Sequence, residues 1–126
     1  MTVLGVGVDM VEVERIERAV ARWGEAFVRR IYTPGEIERS ASAAPSGPRL
    51  AARFAAKEAV MKALGVGWRA LAWREIEIAN DPAGRPTVRL HGAARRIAQQ
   101  RGIVTVMVAL SHTHEHAVAQ AIALGH

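Results

Sequence analysis

Thirteen residues near the middle of the chain, Arg53-Phe-Ala-Ala-Lys57-Glu58-Ala-Val-Met-Lys62-Ala-Leu-Gly65, constrain what it can fold into more than any others. Arg49 to Leu64 is rich in Ala, Leu, Met and Lys, which favour a helix. On a helical wheel the uncharged positions Phe54, Ala55, Ala56, Ala59, Val60, Met61, Ala63 and Leu64 surround the axis almost completely, the pattern of a helix buried on most sides. Lys57, Glu58 and Lys62 must then lie near the core or at a cleft. Glu58 and Lys62 are four residues apart and share one stripe. Such charges are costly to bury unless paired, and an anionic substrate together with a cation would pair them. An ordinary intrahelical Glu–Lys pair on a solvated face, worth about 0.3–0.5 kcal/mol, is the alternative.

Other elements assemble around this helix. Thr2 to Asp9 alternates as a strand, with Leu4, Val6 and Val8 on one face and Gly5, Gly7 and Asp9 on the other. The glycine face lets another element approach closely just before Asp9. Met10 to Arg30 has helical periodicity, with Gly24 dividing it and Ile16, Val20, Trp23 and Phe27 forming an apolar stripe. Arg15, Arg18, Arg22 and Arg29 fall within about 60° of one another at 100° per residue, giving a basic ridge. Thr33-Pro-Gly-Glu36 reads as a capping box opening a short helix to Ser42, and Pro45-Ser-Gly-Pro48 breaks the chain before Arg49. Gly65 and Gly67 stop the central helix. Glu75–Asn80 and Pro86–Leu90 form a hairpin across the Asp81-Pro-Ala-Gly84 turn. A helix over Ala93–Gln100 ends at Gly102. A buried, valine-rich strand over Ile103–Leu110 then pairs with Ala117–Leu124 across Thr113-His-Glu-His116. Strand, helices, two strands, helix, two strands predicts an α+β fold, a small antiparallel sheet packed with helices.

The 126 residues suit a single domain spanning 1–126. Half are hydrophobic and 23% charged, which excludes disorder as the main state. No apolar run is long enough for a membrane helix and the start lacks signal-peptide features, so no membrane contact and a cytoplasmic location are expected. With no cysteine, thiolate metal sites and a cysteine nucleophile are excluded. The net charge of +5 favours an anionic partner. Fifteen of seventeen basic residues are arginine, and the two lysines, Lys57 and Lys62, share the central segment.

Asp9 and Glu58 form the candidate carboxylate pair for a hard divalent ion, which would keep positions for water and phosphate. Asp9 acting as a helix cap is the competing reading. Gly5-Val-Gly7 fails the dinucleotide pattern because Met10 stands where a third glycine is needed. His112, His114 and His116 alternate, but with no third ligand evident nearby a zinc site is disfavoured against polar turn residues. Ser111 and His112 could bind phosphate oxygens; as neighbours on a strand they point to opposite faces, which argues against a Ser–His hydrolase.

Gly5-Val-Gly-Val-Asp9 through Arg15-Ile16, Phe54-Ala-Ala-Lys-Glu58 through Lys62-Ala-Leu-Gly65, and Ser111-His112 together resemble the holo-acyl-carrier-protein synthase family of 4'-phosphopantetheinyl transferases. Gly65-Val-Gly67, Ile76-Glu-Ile78 and Asp81-Pro-Ala-Gly-Arg-Pro86 extend the likeness over essentially the whole chain, with Ser40 to Pro48 its least familiar part. The resemblance implies transfer of phosphopantetheine from coenzyme A to a serine of apo acyl carrier protein, releasing adenosine 3',5'-bisphosphate. It implies a magnesium-dependent homotrimer with sites between neighbouring subunits. Asp9 and Glu58 would hold magnesium, with Lys62 on the pyrophosphate. Arg53, Gly84, Arg85, Pro86, Ser111 and His112 would lie along the coenzyme, and Arg15, Arg18 and Arg22 would receive the acidic carrier. A coenzyme A-binding protein without catalysis is the nearer rival. A basic nucleic-acid-binding module is the more distant one, since no recognisable binding motif is present.

Overall fold

The computed structural model describes residues 1–41 and 46–126. The elements in order are β1 (Thr2–Glu12), α1 (Val13–Trp23), α2 (Glu25–Ile31), α3 (Pro34–Ala41) and α4 (Ser46–Leu64). A short 3-10 turn (Trp73–Glu75), β2 (Ile76–Asn80), β3 (Pro86–Leu90), α5 (Gly92–Gln100), β4 (Ile103–His112) and β5 (His116–Gly125) follow. Strands β1, β5 and β4 form an antiparallel sheet in that order, and β2 with β3 forms a separate hairpin. No helix among the described residues is long and apolar enough to cross a membrane.

The centre of the fold is α4 lying across the inner face of the larger sheet. From Ala51 to Leu64 every residue is buried except Glu58, which is half-buried, and Lys62, which is exposed. The wheel pattern therefore reports a true environment. Two rows of small residues let the helix sink this deep. Gly5 and Gly7 lie on the inner face of β1, in register with Ala123 and Ala121 of β5, while Ala119 and Ala117 continue the row. A Cβ at Gly5 would overlap the carbonyl oxygen of Ala63, and one at Gly7 that of Ala59. Here the backbones of strand and helix touch, which only glycine permits.

Several boundaries differ from the sequence expectation. Strand β1 runs three residues past Asp9, because alternation continues through exposed Met10 and buried Val11. Glu12, extended at φ −74°, precedes α1, so Asp9 lies within the strand and does not cap the helix. Gly24, at φ 57°, breaks the following segment. Phe27 thus belongs to α2, edge-on to Tyr32, while Trp23 is 60% exposed beneath the Arg22 guanidinium instead of joining the apolar stripe. The same break puts Arg29 on another helix, so the basic ridge of α1 consists of Arg15, Arg18 and Arg22.

The Thr33–Glu36 capping box forms as expected: Thr33 N–H donates to Glu36 Oε1 at 2.8 Å and Glu36 N–H to Thr33 Oγ1 at 3.2 Å. Helix α3 extends to Ala41. Helix α4 starts at Ser46, earlier than expected, with Pro48 in its first turn, where a missing N–H costs nothing. Of the expected break, Pro45 lies outside the described residues, as does Ser42. Gly65 alone stops α4: at φ 78° it donates to Lys62 O, Val66 donates to Met61 O, and Arg101 donates to Leu64 O. Gly67 instead opens the next turn through its carbonyl.

Strand β4 is buried on one face only. Ile103 and Val106 reach the core, whereas Met107 is 58% exposed on the outer face with Val6, Val8, Met10 and Val118; a β-bulge between Val3 and Gly5 takes Leu4 out of the expected row with Val6 and Val8 and lays it against Gly125. A continuous strip of large apolar side chains thus lies outside the sheet.

Gly7→Ala is expected to destabilise the fold by about 2–3 kcal/mol, because backbone cannot yield to the added methyl as a side chain could. Gly67→Ala, with open space and no positive φ, serves as the near-neutral control. Thermal unfolding followed by circular dichroism checks both.

Candidate active site

Two clusters of polar side chains flank α4. The first joins β1 to the helix. Contact at Gly7 and Ala59 places Asp9, two residues further along the same strand face, beside Glu58, the residue preceding Ala59. Lys62 reaches from the last turn of α4 to β1, donating to Val8 O at 2.9 Å and to Asp9 Oδ1 at 3.4 Å. It forms no ion pair with Glu58, so the local intrahelical pair gives way to a long-range one. Burial pushes the Glu58 carboxyl above the usual carboxylate range and repulsion from Asp9 adds to this, while Lys62 and Arg15 oppose it. Two carboxylates from distant parts of the chain therefore stand side by side, with Lys62 and Arg15 as their neighbouring cations. Among the described residues no third His, Asp or Glu joins them.

Arg15 borders this cluster, its guanidinium 5.8 Å from the Phe54 ring centre. Along the rest of the α1 ridge, Arg18 pairs with Glu14 at 2.6 Å and Arg22 covers Trp23. Arg18 and Glu14 are both exposed, so their pairing is weak.

The second cluster surrounds a cleft of ≈ 340 Å³ between α3, α4, the β2–β3 hairpin and β4. Arg53, Gly84, Pro86 and His112, four of the residues that the resemblance puts along the coenzyme, line it together with Arg39, Arg49 and Asn80, which sequence reasoning missed. The spacing of Arg49 and Arg53, one helical turn apart, was the available signal; nothing local announced Arg39 or Asn80. Arg53 is buried, donates through Nη2 to Asn80 Oδ1 at 3.1 Å, and leaves its Nε without a protein partner. Burial pulls this guanidinium below its usual range; Glu36 opposes the shift and Arg39 and Arg49 add to it. Asn80 Nδ2 donates to Gly84 O at 2.9 Å, and Asp81 Oδ1 accepts from the Ala83 and Arg85 amides at 2.9 Å each, which fixes the turn. Gly84, at φ 91°, has open space where a side chain would stand. Within one chain, neither Arg85, exposed in this turn, nor Ser111 joins the cleft lining. Ser111 faces the outer side of the sheet with Val8 and Gln120, opposite to His112, as strand alternation requires. His114 and His116 stand exposed at a turn held by Thr113.

At 100° per residue, Arg53 and Lys62 lie about 180° apart around α4. One side of the helix presents carboxylates and a lysine; the other presents crowded guanidiniums.

Residues 5–121 match the family model of the 4'-phosphopantetheinyl transferase superfamily. A holo-[acyl-carrier-protein] synthase of Solibacter usitatus is 46% identical over 121 residues, covering 95% of this chain and 97% of the relative. The crystal structure of the Neisseria meningitidis holo-[acyl-carrier-protein] synthase superposes with a TM-score of 0.89 at 35% identity, covering 98% of this chain and 99% of that one. That of the Helicobacter pylori enzyme in complex with coenzyme A gives 0.84 at 29% identity, covering 94% and 99%. The chain belongs to the 4'-phosphopantetheinyl transferase superfamily. Within it, the similarity is to holo-[acyl-carrier-protein] synthases, so the protein is an enzyme of the transferase class.

Because folded Glu58 holds its proton more readily than the unfolded chain does, stability falls as pH rises from the ordinary carboxylate range through the raised value. In metal-free buffer Glu58→Gln is therefore expected to raise the Tm at pH 7–8, a gain that vanishes below about pH 4. Thermal scans across pH read it; a loss of Tm at neutral pH would refute the charge argument.

Proposed function

We propose that this chain transfers the 4'-phosphopantetheine group of coenzyme A to a serine of an apo acyl carrier protein, releasing adenosine 3',5'-bisphosphate. The observation that carries the reading is the convergence of Asp9, Glu58 and Lys62 from strand and helix. Two carboxylates, with no third His, Asp or Glu beside them among the described residues, suit magnesium, which binds through one or two carboxylates and keeps its other positions for water and phosphate. Asp9 and Glu58 would hold it, and its charge would offset their repulsion. When bound, it neutralises the pyrophosphate and polarises the phosphorus under attack.

The remaining chemistry belongs to this chain's own side chains. The serine hydroxyl oxygen bonds to phosphorus while the bond to the oxygen of the departing adenosine bisphosphate breaks. Lys62 stabilises negative charge growing on that phosphate. Glu58, directly or through a water, takes the serine proton, and its raised pKa suits it to that work. Arg39, Arg49, Arg53 and His112 surround the nucleotide end of the coenzyme, whose phosphates relieve the crowding of like charges in the cleft. Arg15, Arg18 and Arg22 receive the acidic carrier beside the reacting centre.

Because the two clusters lie on opposite sides of α4, the complete site takes its carboxylate half from one copy and its arginine half from the next. The apolar strip of Val6, Val8, Met10, Met107 and Val118 supports assembly through the outer sheet face, since large exposed patches mark interfaces. Ser111, on that same face, reaches the coenzyme of a neighbouring copy. The homotrimer implied by the resemblance fits this division.

Incubation with apo acyl carrier protein, coenzyme A and magnesium should add one phosphopantetheine to the carrier, read by mass spectrometry. No gain with a competent carrier would count decisively against the transfer. Val6→Glu on the outer face should reduce the assembly to single chains in sedimentation while leaving the circular dichroism spectrum intact, and transfer should fall with it.

A further inference from the structure

We propose that Glu36, which lines neither cluster, is a positioning residue for the coenzyme cleft: its buried pair with Lys57 sets the register of the β2–β3 hairpin against α4, and so the geometry of Arg53 and Asn80. The inference rests on the coenzyme reading above and deepens it.

Glu36 and Lys57 are both almost wholly buried, 2% and 0% exposed. Glu36 Oε1 meets Lys57 Nζ at 2.8 Å and accepts from Thr33 N–H at 2.8 Å, while Oε2 accepts from Ile78 N–H at 2.9 Å. Lys57 also donates to Trp73 O at 3.2 Å and to Ile76 O. The pair thus joins the start of α3, the middle of α4 and the backbone of β2. Nothing in the transfer chemistry uses it, yet burying two charges is costly, so a full set of polar partners is required to keep them.

Those partners run directly to the cleft. Arg53 precedes Lys57 by one helical turn on the same stripe of α4. Ile76, Ile78 and Asn80 alternate along one side of β2. Lys57 fixes Ile76, Glu36 fixes Ile78, and Arg53 meets Asn80 at the next position, a polar ladder between helix and hairpin. Asn80 in turn holds Gly84 at the mouth of the cleft. By contrast, the Asp9–Glu58–Lys62 cluster is placed by the contact of β1 with α4, in which Glu36 takes no part. The two halves of the site therefore have separate supports.

This separation gives Glu36 a signature that general stabilisation lacks. Glu36→Gln keeps the size and one acceptor but turns an amide NH2 toward the Ile78 N–H, releasing β2. Glu36→Met with Lys57→Met removes both charges and keeps the volume, guarding against failure to fold. In folded enzyme, KM for coenzyme A should rise about tenfold, with kcat, the magnesium requirement and KM for the carrier within about twofold of wild type. A purely structural role would lower the active fraction and hence kcat at unchanged KM, and that result would overturn the proposal. So would failure of both variants to fold, which would make the pair a requirement of the fold alone. Absence of transfer by the wild-type protein would instead strike the coenzyme reading.

Discussion

Backbone contact between β1 and α4 governs most of what is built here. A strand and a helix normally stand about 10 Å apart because side chains fill the gap; at Gly5 and Gly7 nothing does, and the helix carbonyls of Ala63 and Ala59 come against the strand itself. This closeness brings the short Asp9 side chain to Glu58 and lets Lys62 reach the Val8 carbonyl. The alanines of β5 and α4 bury little area each, so close fit rather than bulk holds the layers together, and the polar anchors at Glu36 and Lys57 hold the β2 backbone to the helix.

Electrostatics divides along the same helix. On one side, burial and then the neighbouring Asp9 make Glu58 hold its proton more tightly; on the other, burial, with Arg39 and Arg49 adding to it, makes Arg53 hold its proton less tightly. The cleft gathers Arg39, Arg49 and Arg53, whereas Asp9 and Glu58 stand beside Lys62 and Arg15. A metal ion between the carboxylates and a polyphosphate among the guanidiniums would relieve the like-charge repulsion on each side, which is the physical sense in which this fold and its proposed substrate would fit each other.

Much of this was legible in the sequence because it was written in periodicity. The apolar wheel of α4, the glycine face of β1, the Thr33–Glu36 cap and the β2–β3 turn each follow from spacing alone, and each is present. Less legible were features set by distant contacts. Periodicity could not tell that Gly24 would end the α1 stripe and expose Trp23, nor that β1 would pass Asp9 by three residues. Lys57 could be placed near the core, but its partner lies twenty-one residues away on another helix, and Glu36 looked fully employed as a cap. Arg39 and Asn80 reach the cleft only because α3 and the hairpin pack against α4. The outer face of β4 was read as buried, since a valine-rich run does not reveal whether its second face meets another layer of the same chain.

The two faces of β1 consequently differ in what substitutions they can take. On the inner side, any atom beyond hydrogen at Gly5 or Gly7 would drive the helix away and pull apart Asp9 and Glu58, so drift there is closed off by volume whatever the polarity of the newcomer. Val6, Val8 and Met10, one residue out of step, meet no such wall within the chain. They have room for other sizes and shapes, so a single strand is closed to added volume on one side and open to it on the other.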